Sequence, residues 1–334
     1  MKRIILIHLL LLTFSSIRAQ SIEGIISDVN GNSLSAVNIS IINQSTEIVN
    51  PKLWGLQSPY LYRAETKLFE KGNLIDTYNT SFGVRTINYG SEFGFKLNGE
   101  PTRFQGVCLH HDLGPLGTAV NRRATERQLE IMQDMGVNAI RTSHNPPSPE
   151  QVRLCDEMGL MIQIEAFDMW EKPKVENGYS KFFNQWHEQD LRDMIRAFRN
   201  SPSVVMWSIG NEILEQSDKI NGERIANELA MICKQEDPTR PTTAGFNYYP
   251  APIKNGLASA IDLVGWNYKP RKYAEITEQH PNWVIYGSET SSTVSSRGVY
   301  HLPIEKYELH ESLQITSYDI IGPPWAYPPD IEFE

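Results

Sequence analysis

The sequence is poor in cysteine, with three among 334 residues. Cys108, Cys155 and Cys233 lie far apart and are odd in number, so they indicate no disulfide framework. They also lack the paired spacing of a zinc site. We therefore interpret them as small buried hydrophobic residues.

An excess of positive charge is also lacking. The 31 Lys and Arg residues are outnumbered by 40 Asp and Glu, which gives a net charge of −9. Surfaces that bind nucleic acid are basic, so we expect no nucleic-acid partner.

Long apolar runs are absent except near the start of the chain. Residues 4–12 are apolar except for His8, follow Lys2 and Arg3, and are too few to span a bilayer. With the small and polar residues that follow, this pattern predicts a signal peptide over residues 1–20, cleaved after Ala19. We expect an exported chain, periplasmic or secreted, with no membrane contact after cleavage.

From residue 102 onward, short apolar runs alternate with amphipathic stretches. The predicted strands are 102–109, 137–142, 160–164, 202–209, 241–246, 261–266 and 283–287. The predicted helices are 125–135, 150–158, 183–199 and 221–235. In the first, Leu129, Met132 and Met135 lie on one side, and in the third, Trp186 faces inward. This alternation predicts an α/β fold with a parallel sheet, of the (β/α)8 TIM-barrel type. The tail from residue 299 shows no further strand pattern, so we expect a barrel that lacks its last strand.

The region before the barrel has the pattern of β structure. Residues 22–29 and 37–42 flank an Asn-Gly-Asn turn signal, and 62–68 with 74–82 form a second predicted hairpin. We interpret residues 21–88 as a partial β-sandwich and place the domain boundary near residue 88, with residues 89–334 as the barrel domain.

Two of the predicted strands end in a glutamate. Residues 203–212, SVVMWSIGNE, end at Glu212, and residues 283–289, WVIYGSE, end at Glu289. The carboxyl ends of barrel strands are where catalytic groups lie. A retaining glycosidase needs two carboxyl groups roughly 5–5.5 Å apart, one to attack the sugar and one to transfer a proton. The alternative is that each acid only stabilises a helix N-terminus, but two acids at buried strand ends favour catalysis.

Three motifs in this order resemble those of glycoside hydrolase family 2. They are RTSHNPP at 141–147, WSIGNE at 207–212 and GSE at 287–289. The family includes β-galactosidases, β-glucuronidases and β-mannosidases, and its barrel follows sandwich domains. The resemblance begins near residue 51 and implies an immunoglobulin-like sandwich before the barrel. Family members carry an N-terminal jelly roll before that sandwich, and we expect this sequence to lack it. It implies that Glu212 is the acid/base and Glu289 the nucleophile.

The resemblance also implies the sugar-binding residues. His110 and His144 would bind sugar hydroxyl groups, and Asn211 would hold the 2-hydroxyl. Tyr268 would point its hydroxyl group at Glu289.

Three further polar residues lie near predicted strand ends. Arg141 would keep Glu289 ionised, and Asp168 would contact the sugar. We expect no cofactor, although the resemblance leaves open a divalent or monovalent metal near Glu165.

The sequence therefore predicts a retaining exo-β-glycosidase, β-galactosidase-like, acting on an oligosaccharide or another β-glycoside. The alternatives are a β-glucuronidase or β-mannosidase, an inactive fragment of such an enzyme, and a carbohydrate-binding protein. The sequence indicates no oligomeric state.

Overall fold

The computed structural model describes residues 21–28, 48–70, 72–269 and 272–290. The predicted signal peptide, the predicted strand 37–42 and the tail from residue 299 lie outside these ranges. The first described strands are β1 (Ser21–Asp28), β2 (Trp54–Gly55), β3 (Ser58–Pro59), β4 (Tyr62–Glu70) and β5 (Asn73–Phe82).

The N-terminal part contains an antiparallel sheet in the order β1-β4-β5. The predicted hairpin of 62–68 with 74–82 is confirmed, because β4 pairs with β5 with Tyr62 opposite Phe82. Strand β1 pairs along its whole length with β4. These are the sandwich strands that the sequence predicts before the barrel.

A small antiparallel sheet connects this part to the barrel. It consists of β6 (Ile87–Gly90), β7 (Gly94–Leu97) and β8 (Glu100–Pro101). Phe95 and Leu97 pack with barrel residues in one hydrophobic cluster. The half-buried Arg85 side chain donates to the carbonyl oxygens of Pro202 and Val204 at 2.7 and 2.5 Å. The N-terminal strands are thereby fixed to the end of the barrel where its strands begin. The position of the domain boundary near residue 88 stays a prediction.

The barrel sheet has seven parallel strands within the described residues, paired in chain order from first to last. They are β9 (Gly106–His110), β10 (Ala139–Ser143), β11 (Met161–Glu165), β12 (Val204–Asn211), β13 (Thr242–Phe246), β14 (Leu263–Asn267) and β15 (Val284–Glu289). The end strands come near each other, since Cys108 Sγ on β9 lies 3.4 Å from the Ser288 carbonyl oxygen on β15. The predicted TIM-type fold is confirmed, with these seven strands in the described part of the chain.

Helices cover the outside of this sheet. They are α1 (Arg122–Asp134), α2 (Pro149–Met158), α3 (Ser180–Phe198), α4 (Asn221–Glu236), α5 (Ala251–Lys254) and α6 (Tyr273–Gln279), with 3-10 turns at Gly114–Leu116, Leu214–Ser217 and Leu257–Ala260. Helix α2 shows why the boundaries fall where they do. The Ser148 side chain accepts from the Gln151 amide at its start, and Gly159, at φ 74°, ends it in the left-handed conformation that favours glycine. None of the helices in the described ranges combines the length and apolarity needed to cross a membrane.

Trp186 was predicted to face inward and does not, and Met135, predicted to lie on the same side of α1 as Leu129, does not share its burial. Trp186 is 44% exposed, because the 3.6-residue period places it beside the buried stripe of α3 and not within it. Met135 is 67% exposed, since it follows the last residue of α1.

The cysteine prediction is confirmed at two positions and wrong at the third. Cys155 and Cys233 are fully buried in the main core between sheet and helices. Cys108 is only half-buried, and its Sγ lies 3.6 Å from Nη1 of Arg141. Cys108 contacts the Arg141 guanidinium and the Ser288 carbonyl oxygen, so it faces polar groups and not an apolar layer.

Candidate active site

The carboxyl ends of the parallel strands meet at one end of the barrel. Four strands, β9, β11, β12 and β15, end at residues that the sequence analysis singled out: His110, Glu165, Asn211 and Glu289. Glu212 directly follows β12, and its backbone N–H donates to the Gly245 carbonyl oxygen at 2.8 Å. The fold therefore brings the predicted site residues together at the end opposite the N-terminal strands.

Glu289 is held by donors on both carboxylate oxygens. Arg141 Nη1 donates to Oε1 at 2.6 Å, and the Tyr268 hydroxyl group donates to Oε2. The Glu289 side chain is 13% exposed. Its orientation is fixed, while part of it remains open to the cleft.

Tyr268 is joined to Glu289 through the backbone as well. Its N–H donates to the Glu289 carbonyl oxygen at 2.7 Å, and its φ of 58° lies in the left-handed region. Such a conformation is unfavourable for a side chain of this size and is typical of functional sites. Burial raises the pKa of Tyr268, and the bond to Glu289 raises it further, so the hydroxyl group remains a donor.

Glu212 has a different environment. It also adopts a left-handed backbone conformation, with φ 44°, and its Oε1 accepts one hydrogen bond, from Asn267 Nδ2 at 2.8 Å. Burial raises the pKa of Glu212, the Asn267 bond opposes this, and the charge of Glu289 adds to the rise. Glu212 therefore holds a proton more readily than an ordinary glutamate does.

Arg141 connects the two sides of the site. Its buried guanidinium makes a bidentate contact with Glu165, in which Nε donates to Oε2 at 3.2 Å and Nη2 donates to Oε1 at 3.0 Å, with Oε2 also 2.7 Å from Nη2. Nη2 also donates to Asn211 Oδ1 at 2.9 Å, in addition to the contact of Nη1 with Glu289. Burial works against the charge of Arg141, but Glu165, Glu289 and the other acidic groups around it together outweigh burial and raise the pKa of Arg141.

Glu165 is fully buried, and its role as the counter-ion of Arg141 is one that the sequence analysis missed. Ser208 Oγ donates to Oε2 at 2.6 Å, and His144 Nδ1 lies 2.6 Å from Oε1. Burial alone would raise the pKa of Glu165, but the charge of Arg141 and the contact with His144 hold it below its usual value. A buried acid in a strand needs a partner, and that requirement was the available signal.

The residues around Glu165 do not favour a metal ion. Both of its oxygens already accept hydrogen bonds, and a cation beside them would face the Arg141 guanidinium. Within the described ranges, no group of three or more His, Cys, Asp or Glu side chains is arranged to hold a metal.

The remaining predicted residues surround the cleft. The ring of His110, which is exposed, lies edge-on to the ring of His144 at 5.1 Å. Asp168 accepts from Asn211 Nδ2 at 3.2 Å and from Lys174 Nζ at 2.8 Å. Lys174 lies in a loop without a motif, and the sequence analysis missed it. The contacts of these residues with a sugar stay predictions.

Two family models match the chain. One, described as the TIM barrel domain of glycosyl hydrolases family 2, matches residues 91–303. The chain belongs to glycosyl hydrolase family 2. The other, described as glycosyl hydrolases family 2, matches residues 16–85.

Relatives within family 2 carry different activities in their names. The chain is 40% identical over 296 residues to the β-galactosidase BoGH2A of Bacteroides ovatus, covering 80% of this chain and 35% of that protein. It is 34% identical over 223 residues to a β-glucuronidase of Bacteroides fragilis, covering 66% of this chain and 31% of that protein. The chain thus spans about a third of the length of these relatives.

Solved family 2 structures show the same fold. A β-glycosidase from Bacteroides vulgatus matches with a TM-score of 0.75 and 32% identity, over 84% of this chain and 35% of that chain. A family 2 member from Bacteroides cellulosilyticus matches with a TM-score of 0.74 and 36% identity, over 81% of this chain and 36% of that chain.

Proposed function

We propose that this chain carries the catalytic site of a retaining exo-β-glycosidase, β-galactosidase-like in its sugar preference. One observation carries the proposal. Two glutamates at the carboxyl ends of β12 and β15 have different environments, since Glu289 is held by two donors while burial raises the pKa of Glu212. That division is what an acid/base and a nucleophile require.

The reaction then follows in two displacements. A Glu289 oxygen attacks the anomeric carbon while the glycosidic C–O bond breaks, and the Glu212 proton goes to the leaving oxygen. A water molecule then attacks the same carbon, Glu212 takes up a proton from it, and the ester bond to Glu289 breaks. The sugar is released with its original anomeric configuration.

The preference for a neutral sugar is supported by the charges of the site. A glucuronide would need a cation for its carboxylate. Arg141 is already bound to Glu165 and Glu289, and Lys174 to Asp168 and the Asn211 carbonyl oxygen. The relative of 40% identity is also named a β-galactosidase. From the pattern of residues 1–20, we further propose that the protein acts after export.

The test is hydrolysis of nitrophenyl β-galactoside, β-glucuronide and β-mannoside by the purified chain. We expect turnover of the galactoside and none from Glu289→Gly. Adding azide to this variant should restore activity and give the α-glycosyl azide, because only one displacement remains. Azide with Glu212→Gly and a dinitrophenyl substrate should give the β-glycosyl azide, because both displacements remain.

The outcome can also contradict the proposal. Glu278→Ala, an exposed position on α6, serves as the control variant and should leave turnover unchanged. A cooperatively folded wild-type chain without turnover would favour an inactive fragment. Sugar binding that survives loss of both Glu212 and Glu289, without turnover, would favour a carbohydrate-binding protein.

A further inference from the structure

The side-chain amide of Asn267, the last residue of β14, joins three strand ends. It is fully buried. Its Nδ2 donates to Glu212 Oε1 at 2.8 Å and to Asn211 Oδ1 at 3.1 Å, and its Oδ1 accepts from Ser288 Oγ at 2.6 Å. An amide nitrogen has two hydrogens, so both donations can exist together.

Arg141 determines which group donates and which accepts in every hydrogen bond of this network. A guanidinium only donates, so the Asn211 atom that faces Arg141 Nη2 must be the oxygen. That oxygen only accepts, so the Asn267 atom that faces it must be the nitrogen. The second hydrogen of this nitrogen then points at Glu212 Oε1, and Ser288 must donate to the remaining oxygen.

We infer that Asn267 is a positioning residue that determines which oxygen of Glu212 carries the transferable proton. Because Oε1 already accepts an N–H, the proton of the neutral carboxyl group lies on Oε2. It leaves Oε2 for the glycosidic oxygen in the first step and returns there from water in the second. This inference rests on the proposed function of Glu212.

A purely structural role makes a different prediction. If Asn267 only satisfied buried polar groups, its loss would slow all substrates alike. If it orients the acid, its loss affects substrates with poor leaving groups, because a dinitrophenolate leaves without a proton. The dependence of the rate on the leaving group therefore separates the two roles.

The experiment compares Asn267→Ala with the wild-type chain on two β-glycosides. We expect kcat/KM to fall about 10²-fold on the 4-methoxyphenyl glycoside and roughly 3-fold or less on the 2,4-dinitrophenyl glycoside. The alkaline limb of the kcat/KM profile should also move to higher pH, since the lost N–H bond lowers the pKa of Glu212 in the wild type. Asn227→Ala, an exposed amide on α4, is the matched control and should change neither readout.

Equal losses on both substrates with an unmoved alkaline limb would overturn the inference and leave the proposed function standing. If Asn267→Ala does not fold cooperatively, Ser288→Ala, which frees the amide from its orienting donor, should show the same selective loss, and a uniform loss would overturn the inference. If the wild type lacks turnover, the proposed function fails. In that case a ¹³C NMR titration of the Glu212 carboxyl group, assigned with Glu212→Gln, tests the inference. A titration curve in Asn267→Ala identical to that of the wild type overturns it.

Discussion

Replacing Glu165 by glutamine tests whether a buried counter-ion holds Arg141 in the site. The Arg141 Nη2 group donates to Oε1 at 3.0 Å and to Oε2 at 2.7 Å, so both carboxylate oxygens face the guanidinium. Glutamine replaces one of these oxygens with an NH₂ group. In either orientation of the amide, a donor then faces a donor and the charge of Arg141 loses its buried partner.

The magnitude follows from the burial of the pair. The side chains of Arg141 and Glu165 are 5% and 0% exposed, so solvent screens their interaction little. Removing one partner of such a pair costs about 3–5 kcal/mol in the free energy of unfolding. Glutamine keeps one acceptor, so we expect a loss of about 3 kcal/mol.

Urea denaturation followed by tryptophan fluorescence measures this loss, in a double-mutant cycle with Arg141→Met. The double variant should be more stable than the sum of the two single losses predicts, because it leaves no unpaired buried charge. Additive losses, or a Glu165→Gln variant as stable as the wild type, would contradict the assignment of Glu165 as counter-ion.

The stability lost in Glu165→Gln should also depend on pH. The pKa of Glu165 is lower in the folded than in the unfolded chain, so its stabilising contribution is present above the unfolded pKa of about 4.3. It disappears as the pH falls through the lower folded value. The difference in stability between wild type and Glu165→Gln should therefore shrink below about pH 4, and a constant difference down to pH 2 would contradict the mechanism.

Two other changes give independent tests. Burial raises the pKa of Asp156 to about 6, against about 3.9 in the unfolded chain. Asp156→Asn should therefore stabilise the folded chain by about 2–3 kcal/mol above pH 6 and should have no effect below about pH 4. Urea midpoints at pH 4 and 7.5 measure this difference. The Asp156 oxygen that accepts from the Ser203 N–H is retained in asparagine, and a pH-independent effect would contradict this explanation. Tyr268→Phe removes a donor to Glu289, so kcat on nitrophenyl glycosides should fall roughly 10²-fold, and an unchanged kcat would show that this bond does not serve catalysis.

The strands and the two candidate catalytic acids could be predicted because their signals are local. All of β12 is buried, and its apolar run ends at the Asn-Glu pair, as the sequence pattern predicts. The apolar run before Glu289 identifies β15 in the same way. Hydrophobic periodicity predicts burial less well at the edge of the buried stripe of a helix, which is why Trp186 was assigned to the wrong face of α3.

The partner of Glu212 could not be predicted from local patterns, and Tyr268 as a partner of Glu289 was expected only from the family resemblance, because these residues are distant in sequence. Glu289 and Arg141 are separated by 148 positions, and Asn267 and Glu212 by 55. No periodicity connects such residues, and only the closure of the sheet brings them together. The role of Ser288 was likewise hidden, since a serine before a glutamate has no distinctive pattern.

In the proposed mechanism, the different roles of the two glutamates depend on one buried network of hydrogen bonds. Arg141 donates to Glu289 directly and reaches Glu212 only through the neutral amides of Asn211 and Asn267. The charge of the arginine therefore acts directly on the Glu289 carboxyl group, while the Glu212 carboxyl group accepts a single amide N–H. Because Glu165 holds the arginine from the fully buried side, this asymmetry is fixed by the protein's own side chains. A site arranged in this way needs no reorganisation when charge develops on the sugar, which is the condition under which buried dipoles and charges accelerate a reaction most.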